Sequence, residues 1–328
     1  MVRGMQFYAM WDEEKGLWST DEYDVQRLMD KELFAHKDEM MRKNTGLAYQ
    51  VRSLGSFGSA SWLSYRNYIG HLTDSYHILD SKLTFSNTVV KKTDYVSKRL
   101  PYPLASGDFS SYDELVGTLY DPEERSKLEW AIGAVMAGEA KNIQKFMVLY
   151  GKGGTGKSTV LNILQQLVDG YFAMFEAQAL TSANNQFGTE AFKSNPMVAI
   201  QHDSDLSKIA DNSKFNSIIS HEWMTFNEKY KPSYDARVDA FLFIGTNKPV
   251  KISDAKSGLI RRLIDVHPSG RKVPPRRYQT LISQIDFELG AIAQHCLDVY
   301  REMGRDYYAG YVPIEMMLQT DAFFNFIE

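Results

Sequence analysis

Gly151-Lys152-Gly153-Gly154-Thr155-Gly156-Lys157-Ser158, followed by Thr159, has the spacing G-x-x-x-x-G-K-[ST] of a phosphate-binding loop. Glycines permit positive φ, so successive backbone N–H groups can turn inward as an anion nest. A helix opening directly after the loop adds its positive end. In that chemistry Lys157 reaches the β- and γ-phosphates of a nucleotide such as ATP, and the Ser158 hydroxyl ligates Mg²⁺. The metal also calls for an acidic side chain at the end of a neighbouring strand. Met197 to Asp205 runs from apolar to polar and offers two, Asp203 and Asp205. Asp203 is the first choice for holding the metal's water shell or activating an attacking water. Asp205 is the second, with a helix cap ahead of Leu206 and Ile209 as its structural alternative. His202 reads as a bystander, because no second histidine stands at a metal-ligating spacing.

Two further groups follow. Ala240 to Asn247 is an apolar run ending in an amide. Asn247 can hydrogen-bond an attacking water and the γ-phosphate, or belong to an ordinary Asn-Lys-Pro turn. Arg261-Arg262 precede the last apolar run. Either can reach a phosphate on a neighbouring subunit, or sit in a surface salt bridge. Between the Asp and Asn motifs, Trp223 to Tyr234 alternates apolar and polar and is broken by Pro232. It reads as a hairpin with Lys229 and Lys231 on one face. Those lysines suit a phosphate backbone with Tyr230 packed nearby, or a solubilising edge strand. Residues 248–277 carry nine basic and two acidic side chains, a local stripe in a chain of net charge −4.

Positioning these residues requires strands and helices in alternation. Apolar runs at Phe146–Tyr150, Phe172–Phe175, Met197–Ile200, Ala240–Ile244 and Leu263–Val266 are separated by helical patterns, as in a parallel sheet covered on both faces. Leu161, Leu164, Leu167 and Val168 give the helix after the glycine loop one apolar face, and Gly170 closes it. Asp121-Pro122-Glu123-Glu124 starts a helix with Asp121 as cap and Glu124 placed to reach back to it, and Gly138 stops it. Arg277 to Met303 is helical by its apolar spacing, with Cys296 as a small core thiol. Further upstream, Ser19 to Glu22 forms a capping box for a helix through Leu33, residues 52–61 read as loop, and Lys91, Lys92, Lys98 and Arg99 as a solvated basic cluster.

The 328 residues are 44 % hydrophobic and 24 % charged, which excludes disordered, collagen-like and coiled-coil chains. The longest apolar run is too short for a membrane span, and no signal peptide is legible. A single cysteine excludes an internal disulfide or a cysteine-bound zinc, and fits a cytoplasmic setting.

Taken in order, these motifs resemble the superfamily three helicases of viruses, phages and plasmids, in particular the poxvirus-type primase–helicase branch. The resemblance rests on Gly151–Thr159 as Walker A, Val198–Asp205 as Walker B, Asn227–Pro232 as the basic hairpin, Phe241–Asn247 as the sensor ending in Asn, and Arg261-Arg262 as the arginine finger. The spacing of about a hundred residues from Walker A to the Arg pair fits as well. Leu83 to Asn87 and the helix from Asp121 to Gly138 look like the N-terminal domain of this branch. The pattern departs from it where Ser204 separates the two acids and where Asn87-Thr88 replaces Asn-Gly. The tail from Pro313 looks like the start of a longer element, and a primase domain or a separate primase is an expected partner. The resemblance implies an AAA+-type α/β P-loop NTPase with a parallel sheet, spanning residues 121–268. A mainly helical N-terminal domain, residues 1–120, precedes it and a helical C-terminal segment, residues 269–328, follows. It further implies a homo-hexameric ring that binds ATP and Mg²⁺ between subunits and moves on single-stranded or forked DNA. The alternatives are a P-loop ATPase of a replication initiator or assembly complex without unwinding activity, and a small P-loop phosphotransferase.

Overall fold

The computed structural model describes residues 2–3, 8–44, 59–72, 77–181, 188–206, 213–226, 233–250 and 258–320. The chain divides into two compact units, Met1–Arg99 and Leu100–Glu328. The first unit opens with strands β1 (Val2–Arg3), β2 (Tyr8–Asp12) and β3 (Leu17–Ser19), joined antiparallel in that order. Helices α1 (Glu22–Lys43) and α2 (Ala60–Leu72) follow. The α1 cap is Asp21, whose carboxylate accepts from the Tyr23 and Asp24 backbone N–H groups. Ser19, the cap expected from the spacing, instead ends β3, and its hydroxyl donates to Asp24. Trp18 is buried, stacked on Tyr95 and edge-on to Trp11, with its indole N–H on the Lys92 carbonyl. That bond folds the basic segment back on the small sheet while Lys91, Lys92 and Arg99 stay exposed.

The second unit begins with α3 (Ser110–Leu119) and α4 (Pro122–Met136). Then come β4 (Phe146–Tyr150), α5 (Lys157–Leu167), β5 (Phe172–Met174), α6 (Ala177–Thr181) and β6 (Val198–Ser204). Helix α7 (Ser213–Ile219) leads to the antiparallel pair β7 (Trp223–Phe226) and β8 (Tyr234–Arg237), then β9 (Phe241–Thr246) and β10 (Leu263–Val266). Helices α8 (Pro275–Met303) and α9 (Ile314–Thr320) end the described chain.

Five strands form one parallel sheet in the order β10-β4-β9-β6-β5. All of β9 and β10 and most of β4 are buried. Continuous apolar strands of this kind need cover on both faces, and the helices supply it. This is an α/β P-loop fold, with helical segments before and after it. The order matters for chemistry. β9 lies between β4 and β6, with Tyr150 opposite Thr246 and Ser204 opposite Thr246. The carboxyl ends of three adjacent strands therefore carry the glycine loop, Asn247 and the Asp203–Asp205 segment along one edge, where ligands bind in open α/β sheets.

Helix α8 closes the unit by packing on α3 and α4. Its buried stripe runs Leu281, Ile285, Leu289, Ile292, Cys296, Leu297 and Tyr300. A Cβ on Gly133 of α4 would lie 2.0 Å from the Cys296 carbonyl oxygen, so only glycine lets the two helices approach this closely. Asp121 sits at the α4 cap position without a side-chain cap bond. Glu124 does not reach back to it: its carboxylate accepts from the His267 backbone N–H (2.6 Å) and from Lys127 (2.6 Å). Among the described residues no helix is long and apolar enough to cross a membrane.

Candidate nucleotide site

The glycine loop leaves β4 and enters α5 through two glycines in the left-handed region, Gly154 (φ 74°) and Gly156 (φ 98°). Other residues are strained there. At Gly156 a Cβ would also meet a Leu119 methyl at 2.8 Å. The Lys157 side chain folds back over the loop. Its ammonium donates to the carbonyls of Gly151 (2.7 Å) and Lys152 (2.9 Å) and to Asn247 Oδ1 (2.8 Å). Burial pulls the Lys157 pKa down, with the Asp203 charge partly opposing it. Ser158 is exposed at the helix start, and the Thr159 hydroxyl contacts Tyr278 OH at 3.1 Å.

Asp203 and Asn247 meet this loop from the two neighbouring strands. The Asn247 amide nitrogen is 3.4 Å from Asp203 Oδ1, so Lys157, Asn247 and Asp203 form a chain across three strand ends. Thr246, wholly buried, holds the corner: its hydroxyl donates to the Ser204 carbonyl (2.7 Å), and the Lys248 N–H donates to the hydroxyl (3.0 Å). Asp205 takes a different direction. Its carboxylate pairs with Lys248 at 2.8 Å and does not line the cleft.

The cleft itself has a volume of about 410 Å³ and is bounded by the glycine loop, His202, Asp203 and Asn247. Its remaining wall is Leu119 from the end of α3, with Lys272, Val273 and Tyr278 from the start of α8 and the turn before it. The spacing of motifs does not reveal these four. Lys272 lies in the basic stripe, and nothing in the stripe distinguishes a lysine that faces phosphate from one that faces solvent. His202 lines the cleft as well; its Nε2 is 3.0 Å from the Gln165 amide, and burial lowers its pKa.

The donor set suits a nucleoside triphosphate with its divalent cation. The glycine loop and α5 N-terminus face the cleft, and Ser158 and Asp203, a hydroxyl and an exposed carboxylate, line the same space.

The Arg pair is elsewhere. It ends the turn before β10, and Leu263 is opposite Phe146, so the pair sits at the amino end of the sheet. A four-residue strand, roughly 13 Å of rise, separates it from the loop end of β4. Arg262 is buried, donating to the Gly258 carbonyl (2.7 Å) and the Ser220 hydroxyl (2.6 Å), whereas Arg261 is exposed. Strands β7 and β8 form the expected hairpin, with Trp223 opposite Arg237 and Phe226 opposite Tyr234. Lys229 and Lys231, with the rest of residues 227–232, lie outside the described residues.

A family described as "Family of unknown function (DUF5906)" matches residues 149–262, from the end of β4 to the Arg pair. Among solved structures, the chain is similar to "The A form apo structure of NrS-1 C terminal region-CTR", at 14 % identity and a TM-score of 0.44, over 66 % of this chain and 50 % of that one. It is also similar to "The apo structure of NrS-1 C terminal region (305-718)", at 12 % identity and a TM-score of 0.45, over 65 % of this chain and 54 % of that one. The chain spans about half the length of these structures.

Proposed function

We propose that the chain is an ATP-hydrolysing motor, a ring-forming DNA helicase of the superfamily three kind acting in the replication of a virus, phage or mobile element. The observation that carries this reading is the division of labour across the sheet. Lys157, Ser158, Asp203 and Asn247 meet at its carboxyl edge, while the Arg pair stands at its amino edge, remote from the cleft of its own chain. A trans-acting arginine needs that separation, and a self-contained phosphotransferase has no use for it.

In this reading the loop N–H groups and α5 receive the phosphates. Lys157 exchanges its contacts with Gly151, Lys152 and Asn247 for phosphate oxygens, so the site is preorganised by bonds that the substrate replaces. Ser158 and Asp203 would hold Mg²⁺, and the ion would supply positive charge against that of the phosphates. Asp203 either stays with the metal's water shell or takes the proton of the attacking water, and Asn247, released from Lys157, orients that water. Leu119 and Val273 offer apolar surface to the base end of the nucleotide, and Lys272 adds a cation from the same chain. Arg261, exposed, is the residue offered to a neighbour's γ-phosphate; Arg262 is held within its own chain. Lys229 and Lys231 are the groups offered to the DNA backbone.

The test is ATP turnover at several protein concentrations, with and without single-stranded DNA, beside a Lys229→Ala/Lys231→Ala double variant. A motor shows turnover that rises steeply with concentration, is stimulated by DNA, and loses only the stimulation in the variant. DNA-stimulated turnover without strand displacement on a forked duplex would favour a replication ATPase that does not unwind. Turnover indifferent to both concentration and DNA would sink the motor reading.

A further inference from the structure

The amino edge of the sheet contains an arrangement that the nucleotide cleft does not use. Lys145 immediately precedes β4 and is only 8 % exposed. Because Leu263 is opposite Phe146, Lys145 lies level with Arg262, the last residue of the turn that enters the adjacent strand β10. Its ammonium donates to the backbone carbonyl of Arg261. Arg262 is equally buried, and its guanidinium ties the same turn to Gly258 and, through Ser220, to the end of α7. A Cβ on Gly258 would stand 2.3 Å from Arg262 Nη1, so a side chain there would displace the guanidinium. Among the described residues neither Lys145 nor Arg262 forms an ion pair with a carboxylate. Burial, then the charges of Arg261 and Arg262, bring the Lys145 pKa down to about 8. Burying a cation beside two others is costly. A leucine or methionine would fill the space at lower cost, but neither could hold the Arg261 carbonyl.

We propose that Lys145 is a positioning residue that fixes the backbone of Arg261, and so sets where this chain's Arg261 meets the nucleotide of a neighbouring copy. The inference rests on the reading of Arg261 as a group acting in trans. It assigns Lys145 an effect on the neighbour's site and none on its own cleft, which lies at the other end of β4.

Subunit mixing separates the two ideas. Lys145→Met keeps an unbranched side chain of nearly the same bulk, one atom shorter, and removes the N–H donors. Alone, it is expected to lower kcat by roughly ten-fold or more, with KM for ATP within about two-fold, since it leaves the phosphate loop intact. Mixed with Lys157→Ala chains, which lack a working loop but keep the Lys145–Arg261 edge, turnover should rise well above that of either variant alone. Arg261→Ala mixed with Lys157→Ala is the control for action in trans. If that control fails to complement, Arg261 does not act in trans and the reading beneath the proposal falls. If the control complements but Lys145→Met does not, or if Lys145→Met alone turns over at the wild-type rate, the role of Lys145 is overturned while Arg261 keeps its own. Lys145→Gln, which retains an N–H for the carbonyl, is expected to keep most of the turnover; a loss equal to that of the Met variant would also overturn the proposal, even if the Met variant does not assemble.

Discussion

Two aspartates only two residues apart have different surroundings, and their substitutions should differ accordingly. Asp203 faces the glycine loop and meets Asn247, whereas Asp205 is paired with Lys248 outside the cleft. On the proposed role, Asp203→Asn should cost about 10²-fold or more in turnover, because an amide cannot take up a proton near neutral pH and, being neutral, holds a divalent cation more weakly than a carboxylate. It should still bind nucleotide. Asp205→Asn loses a half-exposed ion pair and should stay within about three-fold of wild type, as surface pairs contribute little. Steady-state ATPase assays with nucleotide-binding titrations check both, and equal losses would contradict the assignment of Asp203 alone to the cleft. Asn247 belongs to the same comparison. Asn247→Ala removes a partner of Lys157 and should lower kcat more than it raises KM.

The junction of β10 with the C-terminal segment predicts a pH dependence. His267 follows β10 directly, edge-on to Tyr150 at 5.7 Å. Its Nε2 is 2.8 Å from Asp265 Oδ2, and its Nδ1 is 3.3 Å from Glu315 of α9. Burial alone would lower its pKa, but Asp265, with Glu315 and Glu124, outweighs burial and raises it above the ordinary 6.5. The folded form therefore holds this proton more tightly than the unfolded chain does. That contribution is complete below about pH 6.5 and is lost as pH rises through the elevated folded value. The urea midpoint of wild type should exceed that of His267→Gln by most at about pH 6 and by least above about pH 8; a gap that widens with pH would contradict it. At the α4–α8 contact the expectation is steric. Gly133→Ala drives a methyl into the Cys296 carbonyl and should cost roughly 1–3 kcal/mol or more in denaturant unfolding, with the ATP site unchanged until the protein unfolds.

At the scale of the molecule, every element that builds the cleft belongs to the unit from Leu100 onward, including Leu119 of α3 and Tyr278 of α8. A chain beginning at Leu100 should therefore fold and bind nucleotide with an affinity within a few-fold of the full chain, measured by fluorescence titration. Failure to fold would mean that the first unit supplies part of this core. The same unit carries the glycine loop and the Arg pair on opposite edges of one sheet. In the proposed assembly a head-to-tail contact would bring one copy's Arg edge to the next copy's cleft, and every cleft would be served only when such contacts close into a ring.

The sequence by itself determined the class of fold and marked the glycine loop, Asp203 and Asn247, which the structure gathers at one edge of the sheet. Five apolar runs became the five strands of the sheet; β4 and β9, in its interior, are apolar along most of their length because both faces are covered, whereas the edge strand β5 is only partly buried. The glycine loop was legible because its backbone geometry admits so few residue types. The α1 cap was misplaced by two residues, since Ser19 and Asp21 are both good caps and only the end of β3 decides between them. Tertiary structure alone decided the rest. Placing β9 between β4 and β6 is what brings Asn247 to Lys157, and strand order is not encoded in any local pattern. Choosing Asp203 over Asp205, and exposing Arg261 while burying Arg262, depended on partners distant in the chain: Lys248 for the first pair, and Gly258 and Ser220 for the second. Leu119, Lys272 and Tyr278 joined the cleft only because α3 and α8 pack beside the loop; a side chain's type shows what it can bind, and the packing of distant segments decides what it faces.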